Sequence, residues 1–149
     1  MSKCYSIVGP QTAGSGPNTA NGVTATTAIR PMVNELEIGV STTPADQTLQ
    51  ATLSRYTAAG TSTAFTPLPL DPADVAAVSI GGITHTVEPT YTASQDLLNI
   101  YLNQRATFRW VAQDGRECVA PATSANGLGL RNKTSSASMT LQGTLIFRE

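Results

Sequence analysis

Charge is scarce in this chain. Its 149 residues hold 9 Lys and Arg against 10 Asp and Glu, a net charge of −1. Charged residues make up 13% of the sequence, where a typical soluble domain carries about 25%. That scarcity excludes an acidic disordered chain, a coiled coil and a basic nucleic-acid binder, each of which needs many charges. Aromatic residues are 5%, too few for rows of stacking platforms. His85 is the single histidine, and Cys4 and Cys118 stand alone. No CxxC, HxH or HExxH spacing can therefore be written, and neither a metal nor a cofactor is expected. Two cysteines are also too few for a disulfide framework, so both are expected as free thiols packed like small hydrophobes. No run approaches the roughly 20 apolar residues of a membrane helix. The opening residues lack the apolar core of a signal peptide, which sets the expectation of a protein made in a cytoplasm, with no membrane partner.

What the chain does have is Thr (22), Ala (19), Gly (12) and Pro (9). Threonine suits a pleated, half-wet surface, while Gly and Pro punctuate it. The length is that of one ordinary domain, able to bury a core without metals or cross-links. Residues 1–27 read as a short strand, Lys3–Val8, followed by a flexible arm. Its stretch Gly9–Thr27 is almost devoid of large apolar residues and centres on Gly14-Ser15-Gly16-Pro17-Asn18. Residues 28–149 read as the folded domain.

Within that domain the period is two. Leu36, Ile38 and Val40 share one face of a strand, as do Leu49, Ala51 and Leu53 after the Thr43-Pro44-Ala45-Asp46 turn. Ser138–Phe147 places Met139, Leu141, Gly143, Leu145 and Phe147 on one face. Shorter candidates are Ile83–Val87, Leu97–Leu102, Ala106–Val111, Glu117–Ala120 and Leu128–Arg131. Two hairpins are predicted. One joins Thr48–Tyr56 to Ala64–Leu70, whose Pro67 and Pro69 restrict it to a sheet edge. The other joins Ala106–Val111 to Glu117–Ala120 through Asp114-Gly115. One short helix is predicted at 71–78, with Asp71 as N-cap, Pro72 in the first turn and Gly81-Gly82 beyond its end. The expected fold is all-β: a single antiparallel sandwich, jelly-roll-like, or a barrel, of eight or nine short strands with one short helix.

Candidate chemistry is thin. His85 reads as a solvent-facing strand residue, and no GxSxG elbow offers it a nucleophile. Glu35 and Glu37 lie two apart on a strand and project to one face. A glycosidase needs two such carboxylates about 5–10 Å apart, but a polar pair on a wet face is the plainer reading where aromatics are few. Phe108 and Trp110 share a face as core or subunit contact. Gly127-Leu128-Gly129-Leu130-Arg131 lacks the third glycine of a dinucleotide loop, and Arg105, Arg109 and Arg131 form at most a small basic patch. Asn132-Lys133-Thr134 matches a glycosylation acceptor by chance. Pro69 and Pro72 have PxxP spacing, but the segment reads as a stiff edge that blocks strand pairing. No residue is assigned a catalytic role, and the chain is expected not to be an enzyme.

Five stretches carry a likeness to a known group of proteins. They are Leu53-Ser54-Arg55-Tyr56-Thr57-Ala58-Ala59-Gly60-Thr61-Ser62-Thr63-Ala64, Thr66-Pro67-Leu68-Pro69-Leu70-Asp71-Pro72-Ala73-Asp74, Glu88-Pro89-Thr90-Tyr91-Thr92, residues 103–111 and residues 121–130. The likeness extends over most of 34–149, where the chain resembles small virion proteins of tailed bacteriophages. The resemblance implies a β-sandwich decoration (cement) or head protein. Such a protein would sit on the capsid surface as a homotrimer, with the major capsid protein as partner; residues 1–27 lie outside the resemblance and are expected, as a flexible arm, to order on that protein or on a neighbouring subunit. Two alternatives stay open: a tail, fibre or baseplate component, and a carbohydrate-binding β domain.

Overall fold

The computed structural model describes residues 2–12, 18–133 and 139–149. Among them there is no helix, and the chain forms two antiparallel sheets packed as a sandwich, without closing into a barrel. The strands are β1 (Cys4–Thr12), β2 (Thr19–Thr24), β3 (Met32–Thr42), β4 (Thr48–Ala58), β5 (Thr61–Phe65), β6 (Leu68–Pro69), β7 (Ile80–Val87), β8 (Thr90–Asn103), β9 (Phe108–Val111), β10 (Cys118–Val119), β11 (Gly127–Asn132) and β12 (Thr140–Arg148). The first sheet runs β10-β3-β12-β1-β6, with β9 beside β10 on the same edge of β3, and the second runs β5-β7-β2-β11-β4-β8. The chain changes sheet at β2, β3, β4, β6, β7, β9, β11 and β12, so nearly every layer contact joins distant segments.

The period-two pattern sets what lies inside. Tyr5 and Ile7 of β1, Leu36 and Ile38 of β3, and Leu141, Leu145 and Phe147 of β12 are buried from the first sheet. They meet Ala20, Val23, Leu49, Ala51, Leu53, Leu128 and Leu130 from the second. Full burial of each large aliphatic side chain contributes roughly 1.5–3 kcal/mol. Gly143 continues the inward row of β12 without a side chain. A Cβ there would stand 2.5 Å from Leu130 Cδ2, so the glycine is what lets the sheets approach at that point. Asn21 crosses the same gap and donates its Nδ2 to Gly143 O at 2.7 Å, one polar rivet through an apolar layer.

The second sheet has a corner. Only Ala59-Gly60 separates β4 from β5, and only Glu88-Pro89 separates β7 from β8. Ala58 pairs with Thr90, and Thr61 with Val87, so the four strands run on as one long ribbon that bends between those pairs. Gly60 makes the bend with φ +68°, close enough to Val87 O that a Cβ would clash. The ribbon thereby passes from the β4/β8 side of the sheet to the β5/β7 side across the outer face of β11 and β2.

Several expectations are corrected. The helix at 71–78 does not form. Asp71 makes a local turn instead, its Oδ1 accepting from Ala73 N and its O from Asp74 N, and the Val78 and Ser79 amides bond the Glu149 carboxylate at 2.6 and 3.0 Å. Two turns of helix are too short to compete with those partners, given the cost of nucleation. Among the described residues the strands number twelve, not eight or nine. Residues 9–12 and 19–24 of the expected flexible arm are strand, and β2 is buried along its whole length in the middle of its sheet; residues 13–17 lie outside the described residues. Neither predicted hairpin forms. β4 pairs β11 and β8, and β5 pairs β7. β9 and β10 both pair β3, with the Asp114-Gly115 turn bulging out between them. The prolines do mark an edge, since β6 is a two-residue strand at the margin of the first sheet.

Candidate functional site

Two surfaces stand out, one apolar and one polar. The apolar one is the connection from β6 to β7. Among the described residues nine large hydrophobic side chains are exposed, and five of them belong to Leu68–Ile80: Leu68, Leu70, Val75, Val78 and Ile80. The segment is irregular yet firmly tied. Leu70 N donates to Cys4 O at 2.9 Å, Tyr5 Oη to Val75 O at 3.0 Å, and the Glu149 carboxylate takes two further amides. Ala77 turns inward against the core. The result is an anchored shelf that presents branched aliphatic side chains to solvent, the pattern of a contact surface.

The polar surface is a groove of about 430 Å³ on the outer face of the first sheet. Register builds it row by row. Val8, Thr144, Glu37 and Arg109 stand opposite one another on β1, β12, β3 and β9. Pro10, Gln142 and Gly39 form the next row. Gly39 leaves the floor open: a Cβ there would touch only Thr107 Cγ2, at 3.6 Å. Arg109 lies between the two carboxylates, its Nε 2.5 Å from Glu35 Oε1 and 3.6 Å from Glu37 Oε1. The hydrogen bond and charge of Glu35 push the guanidinium pKa up further. Glu35 is largely covered, whereas Glu37 and Arg109 have 55% and 61% of their side chains exposed. The same-face placement of the two glutamates was legible from their spacing. Their shared arginine was not, because it arrives through the β3–β9 pairing.

The other residues singled out in the sequence scatter. His85 is buried, not solvent-facing. Its neighbour Thr84 takes a left-handed φ of +49°, and the ring turns inward to place Nδ1 3.1 Å from Thr19 O. Burial pushes its pKa down against the opposing pull of that carbonyl and of Glu88. Cys4 and Cys118 are both free, and burial raises the Cys118 thiol. Phe108 and Trp110 pack against the core from the edge strand. Arg109 and Arg131 stand on different sheets, so Arg105, Arg109 and Arg131 do not gather in one patch. Among the described residues no group of three or more His, Cys, Asp or Glu converges as a metal site.

Sequence reasoning missed a cluster under the ribbon corner. The Tyr56 ring covers Gly127 and Gly22, and its hydroxyl lies 2.8 Å from Thr24 Oγ1. Tyr91 meets Tyr56 edge-on, covers Gly129, and shares a 2.6 Å hydrogen bond with Thr19 Oγ1. Burial raises both phenols well above their ordinary pKa. Glu88 accepts from Asn18 N, Thr19 N and Thr19 Oγ1, and Arg131 stacks 4.0 Å over Tyr91. Asp96 gathers Ser54, Lys133 and Arg131. Burial would raise its pKa, but hydrogen bonds from Lys133 and Ser54 and the two cationic charges outweigh it and hold the carboxyl low. The only signal was the Gly-x-Gly of β11 with tyrosines elsewhere, which no local pattern connects.

No family model, no curated protein and no solved structure matches this chain.

Proposed function

We propose that the chain is a non-catalytic structural subunit of a tailed-bacteriophage virion. It decorates the outside of the head as a homotrimer, binding the major capsid protein and bridging capsomers. The observation that carries this reading is the Leu68–Ile80 shelf, an apolar surface held in place by backbone hydrogen bonds. Three further features support it. Net charge is near zero, so copies crowded on a shell do not repel one another. The cluster under the ribbon corner ties its ionisable groups to neighbouring strands. Double-sheet jelly rolls, the finer form of the sandwich proposed here, recur in capsid and lectin domains. Many weak contacts repeated over a closed shell accumulate avidity without any strong single site. β2 belongs to the chain's own sheet, so the bridging contact is assigned to the shelf and not to residues 19–24.

The test is mass by light scattering, then negative-stain microscopy of gold-labelled protein on particles of the phage that encodes it. A trimer and labelled heads are expected, with both lost in the double variant Leu70→Glu, Val78→Glu while its circular dichroism is retained. A monomer that leaves heads bare would refute the reading, and label confined to the tail would transfer the chain to the tail alternative.

A further inference from the structure

We propose that the groove on the outer face of the first sheet binds a neutral glycan, a short run of uncharged sugar rings. This goes beyond the assembly role, since it lies on a different surface from the shelf and needs no capsid.

The chemistry of the lining selects the ligand. Glu37 supplies acceptors and Arg109 supplies donors: the guanidinium uses Nε on Glu35, while its two terminal nitrogens have no partner among the described residues. Gln142 donates Nε2 to Ser41 Oγ at 3.1 Å, which fixes the amide and leaves its oxygen as an acceptor. The Thr144 hydroxyl, able to donate or accept, stands in the row between Val8 and Glu37. Fixed planar donors and acceptors interleaved at strand spacing match the paired hydroxyls of a pyranose ring. Val8, exposed at the end of that row, supplies an apolar surface for the C–H face of such a ring. Two carboxylates against one guanidinium leave the site with one net negative charge, which disfavours phosphate, sulfate and acidic sugars. The volume, about 430 Å³, lies within the range of small-molecule sites.

Gly39 is the second pointer. It sits inside a strand where glycine weakens the ladder, it has no left-handed φ to justify it, and its missing side chain is what keeps the groove open.

The experiment is an array of neutral di- to tetrasaccharides of hexoses and N-acetylhexosamines, printed beside sialylated and sulfated counterparts. Titration calorimetry follows with the best neutral binder. The expected result is binding to neutral glycans and not to the acidic ones, with affinity falling at least about tenfold in Gly39→Leu, which fills the floor, and in Glu37→Gln, which removes a charged acceptor. Glu37 is exposed, so its variant keeps the test valid should Gly39→Leu fold poorly. Absence of neutral-glycan binding, binding confined to acidic glycans, or an unchanged affinity in Glu37→Gln would each overturn the proposal. None of these outcomes bears on trimer formation or head labelling, so the two readings fail separately.

Discussion

The outer faces of the two sheets treat glycine in opposite ways. On the second sheet, Gly127 and Gly129 lie beneath tyrosine rings, and an added Cβ would collide with Tyr56 or Tyr91. On the first sheet, Gly39 faces solvent with room for a side chain. The first pair is a packing device, in which an overlying tyrosine ring replaces the missing side chain and excludes water. The second is a vacancy. A strand glycine that nothing covers has no packing reason to be glycine, and this separates the closed face from the open one.

The comparison breaks most sharply at Tyr56. Tyr56→Ala removes a buried ring and is expected to cost about 3–5 kcal/mol in urea unfolding. Val8→Ala on the open face is expected to stay within about 0.5 kcal/mol. Next in size is the glycine pair itself. Gly127→Ala forces a Cβ against Val23 O and the Tyr56 ring, with an expected loss of about 1–3 kcal/mol. Gly39→Ala is expected to be neutral or to gain up to about 1 kcal/mol, since it restricts the unfolded chain without strain. A comparable loss at both glycines would erase the distinction.

Acid sharpens the comparison from another side. His85 has a folded pKa below its ordinary 6.5, so the unfolded chain binds more protons than the folded one as pH falls through that value. Its contribution is complete above that pH and declines below it. The melting temperature is therefore expected to drop between pH 7.5 and 5, and the slope to flatten in His85→Gln. Asp96 is held low, so its contribution is present above the ordinary carboxylate range and is lost only as pH falls through and below it. Smallest is Lys133→Ala, which removes one partner of the part-exposed Asp96 and is expected to cost at most about 1 kcal/mol, less at high salt.

How much of this was legible depended on whether the cause was local. The strands around Leu36, Leu53 and Leu145 were readable because each buries large residues at every second position. β2 was not, since Thr19-Ala20-Asn21-Gly22-Val23-Thr24 offers one large apolar residue. It is buried by what comes to it: Leu128 alongside, the Tyr56 hydroxyl over Gly22, and Gly143 O across the gap. The helix at 71–78 had sound capping residues, but a carboxylate 70 residues away took the amides. His85 was misplaced because a single left-handed threonine re-aims the ring. Of the groove, the paired glutamates were visible, while Arg109, Gln142 and the meaning of Gly39 needed the register of four strands.

The position of β12 governs how the molecule can be made. It lies between β3 and β1, pairing with both along most of its length. On the ribosome, these two early strands therefore have no permanent neighbour at that seam until the twelfth has emerged. The first sheet cannot assemble strand by strand as the chain emerges, and its completion waits for the twelfth strand, then proceeds at the pace of all-β chains dominated by distant pairings, roughly milliseconds to seconds. Until then two bare strand flanks face solvent, which makes rapid release and dilution, or a holding chaperone, part of obtaining the native protein in good yield.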